Sequence, residues 1–83
     1  MGETFPSDFI IKVFGLASDD FEKTVLTLIR KHLPDIREDA IKQRSSKDGK
    51  YLALTISVYV NSKEQLDEIY RELTSNPQII MAL

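Results

Sequence analysis

From Tyr51 to Val60 the chain alternates strictly: Leu52, Leu54, Ile56, Val58 and Val60 fall at one parity, Tyr51, Ala53, Thr55, Ser57 and Tyr59 at the other. A period of two belongs to a strand, whose successive side chains point to opposite faces, so the pattern predicts a strand with one wholly apolar face. As a helix, the same stretch would scatter its five branched residues around the whole circumference. Its β-branched and aromatic content also suits a pleated surface. An unbroken apolar row of this kind needs a layer of helices over it.

The flanking pattern supplies that layer. Residues 9–14, FIIKVF, read as a first strand; placing Lys12 outward puts Phe9, Ile11 and Val13 inward, with Ile10 and Phe14 on the face of Lys12. Residues 1–8 read as a loose lead-in from which Phe5 folds back. Gly15 is expected to end the strand and open a loop, residues 15–18, leading to a helix capped by Asp19 with Glu22 three residues on. Phe21, Val25, Leu28, Ile29 and His32 form the apolar stripe of this helix, and Pro34 stops it. Residues 36–45 are charged, and their second half reads as an edge strand, because charges guard a sheet edge against stray pairing. Residues 46–50 then make a hairpin into the Tyr51 strand. Two overlapping capping boxes, Asn61 with Glu64 and Ser62 with Gln65, precede a helical repeat of Leu66, Ile69, Tyr70 and Leu73. After the break at residues 74–77, residues 78–83 form a last strand with Ile79, Met81 and Leu83 on one face.

Strand, helix, strand, strand, helix, strand, with right-handed crossovers, leaves two interlocked split β-α-β units as the natural solution. The predicted fold is therefore a ferredoxin-like α+β sandwich, a four-stranded antiparallel sheet in the order 4-1-3-2 with two helices on one face. Eighty-three residues make one such domain.

Phe5-Pro6, Phe9, Lys12-Val13 and Gly15, then His32 and Pro34, Ser45-Ser46 before Gly49 and Tyr51, and finally Tyr70, Glu72-Leu73, Met81 and Leu83 recur in an order and spacing that resembles the YbeD-like family of small bacterial domains of unknown function. The resemblance spans nearly the whole chain. It implies the same ferredoxin-like fold, a likeness to the amino-acid-sensing ACT regulatory domains, and a regulatory link to lipoate or glycine-cleavage metabolism. No catalytic residue comes with it.

Composition narrows the chemistry. There is no cysteine, hence no disulfide, thiolate nucleophile or thiolate metal site. Eleven basic against thirteen acidic side chains give a formal net charge of -2, which counts against a dominant nucleic-acid or membrane footprint. The ten-residue run from Tyr51 is half the roughly 20 residues a spanning helix needs, so a cytoplasmic protein is the expectation. His32 is the sole histidine, with Asp35 its nearest carboxylate in sequence, and one imidazole does not make a metal site. A histidine near a helix C-terminus has a structural use there. Asp19, Asp20 and Glu22 are accounted for as cap and first-turn residues, and no hydroxyl nucleophile has a base other than His32. We expect no catalytic residue, metal or cofactor.

Three functional variants of the fold can be tested on the residues. A phosphate-holding loop after the first strand needs an arginine, whereas residues 15–20 carry two aspartates and no base. A metal-carrier loop needs cysteines. RNA-recognition domains carry outward aromatics on the first and third strands, and Phe14 and Tyr51 with Lys12 and Lys50 resemble that arrangement, but the acidic net charge and the lack of a glycine-aromatic pattern near residues 49–55 count against it. The expectation is a non-enzymatic regulatory or adaptor domain. It would bind a protein partner or a small amino-acid-like metabolite, or pair weakly with itself, through Ile10, Lys12, Phe14, Tyr51 and Ala53 and the adjoining loop of Gly15, Leu16, Ala17 and Ser18. RNA binding through the same face is the alternative.

Overall fold

Along the computed structural model, which describes residues 5–83, the elements run β1 (Ser7–Leu16), α1 (Phe21–Arg30), a 3₁₀ turn (Glu38–Ala40), β2 (Ile41–Ser45), β3 (Tyr51–Val60), α2 (Lys63–Thr74) and β4 (Ile79–Ala82). The strands form one sheet in the order β2-β3-β1-β4, with every neighbouring pair antiparallel. This is the predicted ferredoxin-like order read from its other edge.

The alternation in β3 holds along its whole length: Leu52, Leu54, Ile56, Val58 and Val60 are all at most 7% exposed. They meet Ile11 and Val13 of β1, then Phe21, Val25, Leu26 and Ile29 of α1 and Ile69 and Leu73 of α2, in a single core between the helices and the inner sheet face. Leu26, outside the predicted stripe, is buried, and Leu28, placed in it, is only half-buried. Phe5 folds back as expected, its ring stacked on that of Phe9 at 5.6 Å.

Several boundaries differ from the expectation. Strand β1 starts at Ser7 and runs through Gly15 to Leu16, in continuous register with β3. Gly15 is buried within it, because a Cβ there would lie well inside van der Waals contact with the Phe21 ring and the Gln78 carbonyl. Gly15, expected to end the strand, is thus a close-packing glycine inside it, and the connecting loop begins only at Ala17. Asp20, not Asp19, stands at the N-cap of α1, and its carboxylate is occupied by the Ser18 hydroxyl at 2.8 Å instead of capping the helix. At α2 the Ser62 box is the one that forms: the Gln65 amide donates to Ser62 Oγ at 3.1 Å, while Gln65 Oε1 accepts from the Asn61 amide at 2.7 Å.

The last strand departs most. Gly15 faces Ile79 but Phe14 faces Met81, so Ile80 is an extra residue in a bulge. One extra residue reverses the parity of everything after it. Ala82, opposite the inward Val13, therefore turns to the core, while Met81, opposite the outward Phe14, joins the outer face. Leu83 continues the ladder, exchanging backbone hydrogen bonds of 2.9 and 2.7 Å with Lys12.

Candidate functional site

Both helices cover one side of the sheet, and the other side is built from outward side chains in rows set by the strand register. Lys42, Thr55 and Lys12 form one row, extended to Leu83 by its pairing with Lys12. Arg44, Ala53, Phe14 and Met81 form the next. Leu16 opposite Tyr51 closes one end; Ile10 opposite Ser57, then Asp8 opposite Tyr59, lead to the other.

Of the sequence-predicted residues, Ile10, Lys12, Phe14, Tyr51 and Ala53 do share this face. The pairing differs by two residues from the simplest end-to-end match, which would set Phe14 against Tyr51 and Lys12 against Ala53: Phe14 faces Ala53, Lys12 faces Thr55, and Tyr51 meets Leu16. The longer β1 is the reason. Gly15 is not part of the site, since it lies buried beneath Phe21. Leu16 lies in the strand, 56% exposed, and the Ala17 amide adds one more rung by donating to the Lys50 carbonyl at 2.8 Å. Ser18 is spent on Asp20. The expected binding loop is thus mostly strand end.

Lys42, Arg44, Met81 and Leu83 belong to the face although sequence reasoning did not place them there. For the first two a signal existed, since cations two residues apart on a strand share a face. For the last two, the bulge hides it. On the β2 side of the face a trough of about 440 Å³ is floored by the small side chains of Ala53 and Thr55 and walled by Lys42 and Arg44 on one side and Lys12 and Phe14 on the other.

A second cluster joins the helix ends. His32 lies just past the end of α1, not within its last turn, with its amide still bonded to the Ile29 carbonyl at 2.9 Å. Its ring Nε2 is 3.2 Å from Glu72 Oε1 and its Nδ1 is 3.8 Å from Glu68 Oε2, both on α2, so its partners lie forty residues away and Asp35 is not one of them. Lys31 Nζ adds a contact of 3.2 Å to Glu72 Oε2. Hydrogen bonds from His32 and then Lys31 hold the Glu72 carboxyl below the usual glutamate range. The two carboxylates approach opposite sides of the imidazole, so the three groups do not converge on one point where an ion could sit. Among the described residues no group of three or more potential ligands does so. The cluster clamps one helix to the other. Beside it, a hollow of about 470 Å³ opens between the chain after α1 and the end of β3, with Leu33, Ile36 and Val58 among its apolar walls and Asp35, Arg37 and Tyr59 at its rim. Gln65 closes it by donating from Nε2 to the His32 carbonyl at 3.1 Å. No helix among the described residues is long and apolar enough to cross a membrane.

Comparison with known proteins agrees with this architecture. A solution structure of protein HP0495 from H. pylori superposes with a TM-score of 0.80 over 100% of this chain and 87% of that one; at 14% identity the likeness is one of fold. A UPF0250 protein of Janthinobacterium sp. (strain Marseille) is 48% identical over 75 residues, covering 90% of this chain and 82% of that protein. UPF0250 proteins of Ralstonia nicotianae and of Neisseria meningitidis serogroup B are each 42% identical over 79 residues, 95% of this chain and 81% and 87% of theirs. Residues 3–83 match the family model described as "Protein of unknown function (DUF493)". The chain belongs to that family, the small bacterial family of unknown function to which the YbeD-like resemblance pointed.

Proposed function

We propose that the domain is a non-enzymatic adaptor or regulatory unit of the cytoplasm that docks a partner protein on the outer face of its sheet. One observation carries this reading: on the side that neither helix covers, Ile10, Met81 and Leu83 are 62, 47 and 61% exposed around Phe14. Contiguous apolar area on a soluble domain mostly marks an interface once it reaches a few hundred Å², and covering it gains roughly 25 cal/mol per Å². Among the described residues no converging set of metal ligands competes as an explanation of the face.

RNA binding by the same face has less support. Stacking needs neighbouring aromatic platforms, whereas the two exposed tyrosines of the face, Tyr51 and Tyr59, stand at its opposite ends and Phe14 is flanked in its row by Ala53 and Met81. A small amino-acid-like metabolite is favoured by a different place, the hollow beside Tyr59, where Asp35 and Arg37 offer both charges above apolar walls. A link to lipoate or glycine-cleavage metabolism rests on the family resemblance alone.

The test is amide mapping. Titrating the isotopically labelled protein with a bacterial lysate should broaden or shift amides of β1, β3 and β4 around Phe14 and Met81. The Ile10→Ser/Met81→Ser variant should lose those changes while keeping its melting transition. Changes centred on residues 32–37, on the helices, or unaffected by the double substitution would overturn the reading. Sedimentation of the wild type alone separates a weak homodimer from docking on another protein.

A further inference from the structure

The outer face is not uniform, and its charge is segregated from that of the rest of the chain. Among the described residues Asp8, at one end, is the only acid carried by a strand, whereas the strands carry Lys12, Lys42 and Arg44. All three of these bases are exposed, and register puts all three on the outer face. None forms an ion pair with a described residue; the pairs that do form use Lys31, His32, Arg37 and Lys63. Strand spacing sets the distances: Lys42 and Lys12, two strands apart, have backbones about 10 Å from each other, and Arg44 lies about 7 Å along from Lys42. At such separations like charges still repel within a Debye length of about 8–10 Å. The charges of this cluster therefore gain nothing from ion pairing within the folded domain.

Across the strands the face changes character. The β2 side is cationic through Lys42 and Arg44, the β4 side is aliphatic through Met81 and Leu83, and the trough over Ala53 and Thr55 lies between Lys42 and Arg44 of β2 and Lys12 and Phe14 of β1, with the aliphatic residues beyond Phe14. Taking the outer face as the docking surface, we infer that its occupant is an amphipathic helix of a partner protein with aspartates or glutamates along one flank. Such a helix lying along the strands would set its acidic flank over Lys42, Arg44 and Lys12 and its apolar stripe on Phe14, Met81 and Leu83. A sheet with helices on one side only is completed by a helix on the other, and the trough supplies its seat. A second copy docking face to face is disfavoured, because it would bring two cationic clusters together.

The inference is tested with helix-forming peptides carrying leucines at i, i+3, i+4 and i+7 and, on one flank, either glutamates or glutamines. The glutamate peptide should bind saturably, with amide shifts at Lys12, Lys42, Ala53, Thr55 and Met81. Its affinity should fall about tenfold or more in Lys42→Glu/Arg44→Glu, or on raising salt past physiological strength. That variant should melt like the wild type, since both side chains are exposed. Equal binding of the glutamine peptide, or no saturable binding of the glutamate peptide, would overturn the charge assignment while leaving the lysate mapping to decide whether the face docks anything. Tighter binding of a single-stranded uridine oligomer with the same shifts would reassign the cations to phosphates. Concentration-dependent self-association abolished by Lys42→Glu/Arg44→Glu would make the occupant the acidic α2 surface of a second copy, and would overturn the inference too.

Discussion

Gly15→Ala is the substitution that tests the packing most directly. Nothing in the backbone at Gly15 demands glycine; the constraint is spatial, because a methyl group there meets Phe21 Cε1 and Cζ and the Gln78 carbonyl oxygen. The Phe21 ring is completely buried, and the carbonyl belongs to the backbone entering β4, so neither yields cheaply. Overpacking a tight core costs about 1–3 kcal/mol, occasionally more. Alanine would recover about 0.4–1 kcal/mol by restricting the unfolded chain. With three short contacts on groups that do not yield, the cost falls in the upper part of that range and the net loss is roughly 1–2.5 kcal/mol, against a total stability of order 4–12 kcal/mol for a chain this long. In a domain of this size that lowers the melting temperature by roughly 5–20 °C. Urea and thermal melts followed by circular dichroism measure it. Combining Gly15→Ala with Phe21→Leu should return about 1 kcal/mol or more relative to additivity, since the two positions touch. Gly49→Ala is the contrast: Gly49 has φ +73° with open space around its Cα, so its cost of about 1 kcal/mol is conformational and Phe21→Leu leaves it unchanged. A Gly15→Ala protein within about 0.5 kcal/mol of wild type, or a strictly additive double variant, would refute the close approach.

Ile56→Ala, at a completely buried site, should cost about 2–5 kcal/mol in urea melts, and Ser57→Ala less than about 0.5; equal losses would contradict the parity of β3. Met81→Lys should be tolerated within about 0.5 kcal/mol, while Ala82→Lys forces a charge toward the core and costs at least about 1–3, an order that reverses if the bulge at Ile80 is absent. Because its partners hold the Glu72 carboxyl below the ordinary 4.5, its contribution is fully present above that value and lost as pH falls through the lower folded-state pKa. The urea midpoints of wild type and Glu72→Gln should therefore differ at neutral pH and converge on acidification below about pH 4.5; a constant gap would mean that the clamp is not electrostatic.

Element types and strand order were legible because each rests on local period and on chirality. Five alternating branched residues define β3 whatever surrounds them, and the charged β2 has a stable place only at an edge. Three other features depend on partners that local pattern does not reveal. Asp19 reads as the cap of α1 because of Glu22 three residues on, whereas Asp20 stands there with its carboxylate taken by Ser18. Gly15 looks like a loop glycine until Phe21 is known to lie over it. His32 finds Glu68 and Glu72 on the second helix, beyond the reach of any reading of near neighbours. The bulge in β4 is the most consequential case. Ile79, Met81 and Leu83 alternate perfectly, yet one extra residue sends Met81 outward and widens the apolar half of the outer face.

Net charge misleads for a related reason. A formal -2 averages over the whole surface, and on that average an anionic partner would be repelled. A docking segment, however, feels charges within about a Debye length, some 8–10 Å. In this fold the acids gather in loops and helices, where first turns and the His32 clamp use them, while the strands keep Lys12, Lys42 and Arg44 with Asp8 as their one acid among the described residues. The antiparallel register then brings those three bases, far apart in sequence, into two adjacent rows of one face. The same charges that protect the β2 edge from pairing with a stray strand thereby become one wall of a trough. An acidic domain can in this way present a basic surface, the sign of one face being set by topology and not by composition.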